Sequence, residues 1–221
     1  MTGLRKTLGR LARSASGLAA TEMALSMPFL LGAGLWALEL SNYALATMQV
    51  NQIATHIADN TSRVGEKSLL EDVKLYESDI NDLLEGASLQ GGKTLQLFDS
   101  GRVIVSSLET KDGEQWIHWQ RCIGKKNWES SYGKEGDKPE IGMGPAGEEV
   151  FAFDGEAVIF VELVFDYKPL VSGRFIGEPT IHSISSFTVR NSRDLSKIYQ
   201  HDSDSPDPVA KCKTYDNPYP A

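Results

Sequence analysis

The sequence predicts an α+β protein: a long N-terminal helix that crosses a membrane, a second helix, and an antiparallel sheet of about five or six strands. Three observations carry that expectation. Charge is divided along the chain, with Arg5, Lys6, Arg10 and Arg13 and no acid in the first 17 residues, against 18 basic and 30 acidic residues in 18–221. An uncharged run, MALSMPFLLGAGLWAL, fills positions 23–38. From residue 94 onward, short β-prone runs alternate with turn sequences.

The apolar stretch reaches from Leu18 to Leu40, with Glu22 and Glu39 near its ends. At 1.5 Å per residue it measures roughly 34 Å, about a bilayer core. A basic leader (1–17) before it and an acidic body after it predict a cytoplasmic N-terminus, one crossing of the bacterial inner membrane, and a periplasmic C-terminal domain. Beyond the apolar run, Val50, Ile53, Ile57 and Val64 keep a helical rhythm, and no Gly or Pro interrupts residues 35–64. The chain from 18 to 64 therefore reads as one helix, transmembrane over 18–40 and amphipathic over 41–64. Pro28, followed closely by Gly32 and Gly34, predicts a helix bend or local unwinding there.

Gly65 suits a helix stop, and residues 65–221 form the periplasmic α+β domain. SLLEDVKLYESDINDLLEG (68–86) offers the second helix, with Leu69, Val73, Tyr76, Ile80 and Leu83/Leu84 on one face and Gly86 at its end. TLQLF (94–98), RVIVSSLE (102–109) and QWIHWQRC (115–122) read as a meander, the last two joined by Lys111-Asp112-Gly113, a hairpin signal. Residues 124–148, rich in Gly and charge, read as a long exposed loop. EVFAF, AVIFVELVFDYKPL and TIHSISSFTVRN complete the strand candidates, the second being the most apolar and therefore central. The tail HDSDSPDPVAKCKTYDNPYPA is flexible in composition. Its Cys212 and Cys122 are the only two cysteines, so in an oxidising compartment one disulfide tethers it, with two unpaired buried thiols as the alternative.

Several chemistries find no support. The acidic body argues against nucleic acid, whose phosphates attract clustered Lys and Arg. Gly91-Gly92-Lys93-Thr94 ends like a phosphate loop, but Ala87 stands where that motif needs glycine. Ser131-Tyr132-Gly133-Lys134 fits S-x-x-K without its K-T-G companion. His56, His118, His182 and His201 are scattered, and the acidic tail lacks the spacing of a calcium loop, so neither a metal nor another cofactor is expected. Trp116 and Trp119 fall on opposite faces of a regular strand, and Trp128 and Tyr132 pose a choice between core packing and an aromatic contact surface. No catalytic constellation emerges, no small-molecule substrate is implied, and the chain is not expected to be an enzyme.

Gly17-Leu18-Ala19-Ala20-Thr21-Glu22 followed by an apolar helix resembles the processing site of type IV pilin-like proteins. Residues 17–64, with Gly17, Glu22, Pro28 and the step Leu38-Glu39-Leu40, look like the TadE-like family of minor pilins (pseudopilins) of the tight-adherence (Flp/Tad) pilus system. The resemblance implies a type IV pilin-like fold and cleavage by a prepilin peptidase after Gly17, so that Leu18 opens the mature chain and Glu22 is its fifth residue. It implies as partners the inner membrane, that peptidase, other pilins or pseudopilins and the pilus assembly platform, with possible incorporation into an adhesive pilus. Met23 stands where major Flp pilins usually carry Tyr, and the chain is far longer than they are, which favours an accessory subunit.

The residues give Glu22 an independent reading. A carboxylate near lipid is costly unless paired, and cutting after Gly17 creates an ammonium on Leu18 one helical turn away. The rival function is an exported periplasmic binding protein using residues 1–46 as signal peptide or anchor, with Ala44-Leu45-Ala46 as an A-x-A cut.

Overall fold

The structure is a computed structural model and describes residues 15–65, 72–189 and 192–220. The basic residues of the leader, Leu69, and the end of the last strand candidate lie outside the described residues. Helix α1 (Ala15–Arg63) is continuous through Pro28, Gly32 and Gly34. Proline has no N–H, so the carbonyl of Ala24 loses its helical donor there. The chain divides into two compact units, Met1–Ala44 as far as described with Pro169–Gly177, and Leu45–Lys168 with Glu178–Ala221.

The larger unit is α+β, and its described residues build a four-stranded antiparallel sheet where about five or six strands are expected. Its strands are β1 (Gly101–Lys111), β2 (Glu114–Ile123), β3 (Ala157–Asp166) and β4 (Thr180–Thr188), in the order β2-β1-β3-β4. β1 and β3 lie at the centre, and the expected central strand is one of them. The β1–β2 hairpin closes at Lys111↔Glu114 through Asp112 and Gly113, both with positive φ (55° and 80°). That is the two-residue turn whose twist matches its strands.

Two strand candidates are not strands. TLQLF ends helix α2 (Glu77–Leu95) and enters the short helix α3 (Leu97–Ser100); the break falls at Gly92 and Gln96, both with positive φ. EVFAF makes a single bridge, Val150 to Met143. Alternation over five residues is too short to select a strand when neighbouring segments already fill the sheet.

The second helix also starts later than its periodicity suggests. Val73 and Tyr76 are extended and bridge to Arg193 and Tyr199, and the Asp79 carboxylate accepts the Tyr76 N–H (2.9 Å) at the helix start. Gly86 does not end the helix. Gly91, farther along, allows close approach: a Cβ there would lie 3.2 Å from that of Leu97 and 3.9 Å from Ile53 of α1. Of the expected apolar stripe, Val50, Ile53 and Ile57 are buried on α1 beside Ala46, Ala54 and Ala58, whereas Val64 lies past the helix end and is half-buried; His56 is exposed and meets Gln90. Arg193 closes the helix end, its Nη2 donating to the carbonyls of Thr61 (3.0 Å) and Val64 (2.6 Å), where a cation also complements the helix dipole. Burial brings the Arg193 pKa down to about 10, so it keeps its charge at neutral pH.

Register assigns the two sheet faces. Val103, Val105 and Ser107 of β1 share one face with Val161, Leu163 and Arg121, and Arg121 reaches Glu77 of α2 at 2.5 Å. Arg102, Ile104, Ser106 and Leu108 share the other with Phe160, Glu162, Gln120 and Cys122. The register skips His118, since Ser107 pairs with Trp119 and Leu108 with Ile117. This bulge corrects the expectation for the tryptophans: Trp116, opposite Glu109, and Trp119, opposite Ser107, come to the same face.

Among the described residues no helix covers the second face. Residues 124–156 and the tail cover it, so the long loop is not simply exposed: Met143 is fully buried with Leu108, Ile117, Ala152, Val158 and Phe160, and Tyr132 stands edge-on to Phe160. The tail is docked. Cys122 and Cys212 form a disulfide across a sequence separation of 90, which stabilises by roughly 4–5 kcal/mol in the chain-entropy limit. The Cys122 N–H donates to the Ala210 carbonyl, and the Ser88 hydroxyl to that of Tyr219. Arg102, buried in β1, donates to the carbonyls of Gly124 (2.9 Å), Thr214 (2.9 Å) and Cys212 (2.8 Å), with Tyr215 over its guanidinium. Arg102→Ala should therefore lower stability by about 2–4 kcal/mol and loosen the tail even with the disulfide intact. Denaturant unfolding and proteolysis rates at the tail measure both effects.

Candidate functional site

The expected processing site lies entirely on α1. Leu18 and Glu22 are exposed and one helical turn apart, and Gly17 precedes them in unbroken helix. Leu25, Phe29, Leu30, Leu31, Trp36 and Leu38 are also exposed, Phe29 by 80%. The stretch from Gly17 is long and apolar enough to cross a membrane, and its most apolar part is almost wholly uncovered. Its hydroxyls suit such a setting. Thr21 donates to the Leu18 carbonyl (2.8 Å), Ser26 to Met23 (3.3 Å) and Ser41 to Ala37 (2.8 Å), so none needs a donor or acceptor from outside the helix. A Cβ at Gly32 or Gly34 would meet nothing within 4 Å, so each glycine leaves a shallow place on the helix surface.

The sequence places Glu39 at the end of the apolar run and assigns it no contact. It is fully buried, and its carboxylate accepts backbone N–H groups from Leu170 (3.1 Å), Val171 (2.7 Å) and Ser172 (3.3 Å). The available signal was a second apolar segment, PLVSGRFIG, between two strands where a polar turn is usual.

In the larger unit the disulfide borders a cavity of about 800 Å³, between β1, β2, the loop around Trp128 and the tail. Arg102, Arg121, Lys134, Lys211 and Lys213 line it with Glu129 and Glu135. Most of this charge is committed within the chain: Arg102 to three carbonyls, Arg121 to Glu77, and Lys134 to Glu129 at 2.8 Å. Trp128 stands edge-on to His182 and Tyr132 edge-on to Phe160, and both are half-buried.

Nearby, Ser107, Glu109 and His118 resemble a hydrolytic triad in composition only. The Ser107 hydroxyl donates to Glu109 (2.8 Å), and His118 Nδ1 also meets Glu109 (2.9 Å). With the carboxylate between them, no imidazole is placed to take the serine proton, and Ser107 is buried. Lys134 of the S-x-x-K run pairs with Glu129, and Gly91 to Thr94 sit within α2 rather than in a phosphate-cradling loop. Among the described residues no group of His, Cys, Asp and Glu could hold a metal ion. No family model matches the chain, and comparisons with curated proteins and with solved structures return no match.

One buried carboxylate remains in the sheet. Glu162 of β3 accepts from the Ser130 hydroxyl and from the Ser131 N–H (2.9 Å), pinning the loop to the sheet. Desolvation raises its pKa above the usual 4.5, against the lowering effect of those two bonds. The folded state thus holds this proton more tightly than the unfolded chain. Its contribution is fully present below 4.5 and is lost as pH rises through the raised value. Glu162→Gln, which mimics the protonated form, should flatten the stability-versus-pH curve on the alkaline side of pH 4.5. Unfolding midpoints from pH 4 to pH 8 check this, and an unchanged slope refutes it.

Proposed function

We propose that this chain is an accessory pilin, or pseudopilin, of the tight-adherence type: anchored in the inner membrane by α1, cut after Gly17 by a prepilin peptidase, and assembled through that helix. The observation that carries the reading is the arrangement at the helix start. Glu22 is exposed one turn after Leu18, in the first part of α1, where the large apolar side chains from Leu18 to Trp36 are exposed as well. Cleavage converts the Leu18 amide nitrogen into an ammonium, and the carboxylate four residues on can meet it in its own chain or in a neighbour. Side-by-side packing of such helices would cover the exposed leucines and Phe29, first in the membrane and then in a filament.

The binding-protein reading fits less well. A cut after Ala46 would discard Glu39, which holds the backbone of Leu170–Ser172, and would also take away Ala46 from the buried stripe of α1.

Mass spectrometry of the mature N-terminus separates the two. The pilin reading expects Leu18 first, the binding-protein reading Thr47, and an intact Met1 would indicate a plain membrane anchor. Glu22→Ala should leave the cut in place yet reduce the chain's recovery with sheared filaments at least several-fold; normal filament output from that variant would sink the proposed role of Glu22.

A further inference from the structure

Residues 169–177, between β3 and β4, carry an apolar sequence that stays uncovered. In the unit they form with the first part of α1, Leu170 is 68% exposed and Val171 39%, and Phe175 and Ile176 are half-buried. A turn between antiparallel strands is ordinarily polar, because water satisfies its backbone. Here three successive backbone N–H groups, of Leu170, Val171 and Ser172, are instead satisfied by Glu39. The Ser172 hydroxyl accepts the Arg174 N–H (3.3 Å), and the turn closes with the Gly177 N–H on the Gly173 carbonyl (2.8 Å). A segment with its donors satisfied internally can leave water at low cost, which a hydrated turn cannot do.

The position of Glu39 says where that would happen. Seventeen residues separate it from Glu22, roughly 26 Å along the helix axis, close to the thickness of a bilayer's hydrocarbon core. Glu39 therefore stands at one boundary of the core when Glu22 stands at the other. Leu170 and Val171 are held by their backbone to Glu39, and Trp36, Leu38 and Leu40, on either side of Glu39 in α1, are exposed as they are. Arg174, exposed in the same turn, suits the phosphate level.

We propose that the turn 169–177 is a second membrane contact: Leu170 and Val171 insert into the leaflet on the Glu39 side of the bilayer, and Glu39 holds them there by occupying their backbone N–H groups. The occupant is lipid, at the interface between acyl chains and headgroups. A carboxylate at the boundary of an apolar helix thereby acquires a structural task, since it lets polar backbone enter a place where unpaired N–H groups are costly. The proposal rests on the membrane-spanning helix alone and is independent of processing and pilus assembly; it stands equally for a chain that begins at Met1.

The test uses the full chain in vesicles of phosphatidylcholine and phosphatidylglycerol. Leu170→Cys, at an exposed position, carries an environment-sensitive fluorophore, and Ser203→Cys in the exposed tail serves as the reference. Nitroxide lipids labelled near the headgroup should quench the label at 170 several-fold more than at 203, while aqueous iodide should do the reverse. Equal iodide quenching at the two sites, without lipid quenching at 170, overturns the proposal; that result also covers the case in which the turn waits for a second protein. Adding Glu39→Ala should release the turn and restore iodide access at 170. Unchanged lipid quenching in that variant, with circular dichroism confirming the fold, overturns the role given to Glu39.

Discussion

The larger unit is organised by the fact that β1 and β3 are buried on both faces while its described residues supply helices for only one. Between Gly101 and Glu109 every residue of β1 is buried, as is every residue of β3 from Ala157 to Phe165. A sheet so placed needs two covers. The second is made from irregular chain, which brings many backbone polar groups toward an apolar surface and must satisfy them without a helix or a ladder. Polar side chains that rise from the sheet itself do this: Arg102 takes carbonyls from the tail and from Gly124, Gln120 takes the Gly133 carbonyl (3.0 Å), and Glu162 takes the Ser131 N–H. The polar residues in the strands are the means by which the cover is held, and the disulfide joins the same seam.

The same device recurs in the smaller unit on a smaller scale. Glu39 takes three N–H groups of a turn as Glu162 takes one of a loop and a neighbouring hydroxyl. In each case a carboxylate in an otherwise apolar element fixes a segment that has no regular structure. Each exchanges hydration of a charge for several directed bonds, and removing one partner strands the others.

What could be read from the sequence follows the range of the interactions. The long helix is legible because its apolar run and its 3.6-residue stripe are local, and the β1–β2 hairpin because Asp112-Gly113 fixes the turn. The cysteine pairing needed only that two residues find each other. The helix start at Glu77 was not legible, since Val73 and Tyr76 fit a helical face until Arg193 and Tyr199, more than 115 residues later, bridge to them. Burial of Met143 and the bulge at His118 likewise depend on partners distant in sequence. At the candidate site, Gly17, Leu18 and Glu22 are expected only through the resemblance of residues 17–22 to a pilin processing site, whereas Glu39 could not be given its contact, because the turn it holds lies some 130 residues away.

Arg102 also constrains the order in which the molecule is completed. Two of its acceptors, the carbonyls of Cys212 and Thr214, lie 110 and 112 residues later in the chain. At ribosomal rates of about 5–20 residues per second, they follow it after roughly 5–20 s. During that interval the guanidinium has only the Gly124 carbonyl of its three acceptors, so the face of β1 that the tail covers is not yet sealed. The helical face can consolidate early; the other closes only when the tail arrives, and the time between is set by the ribosome and not by the sheet.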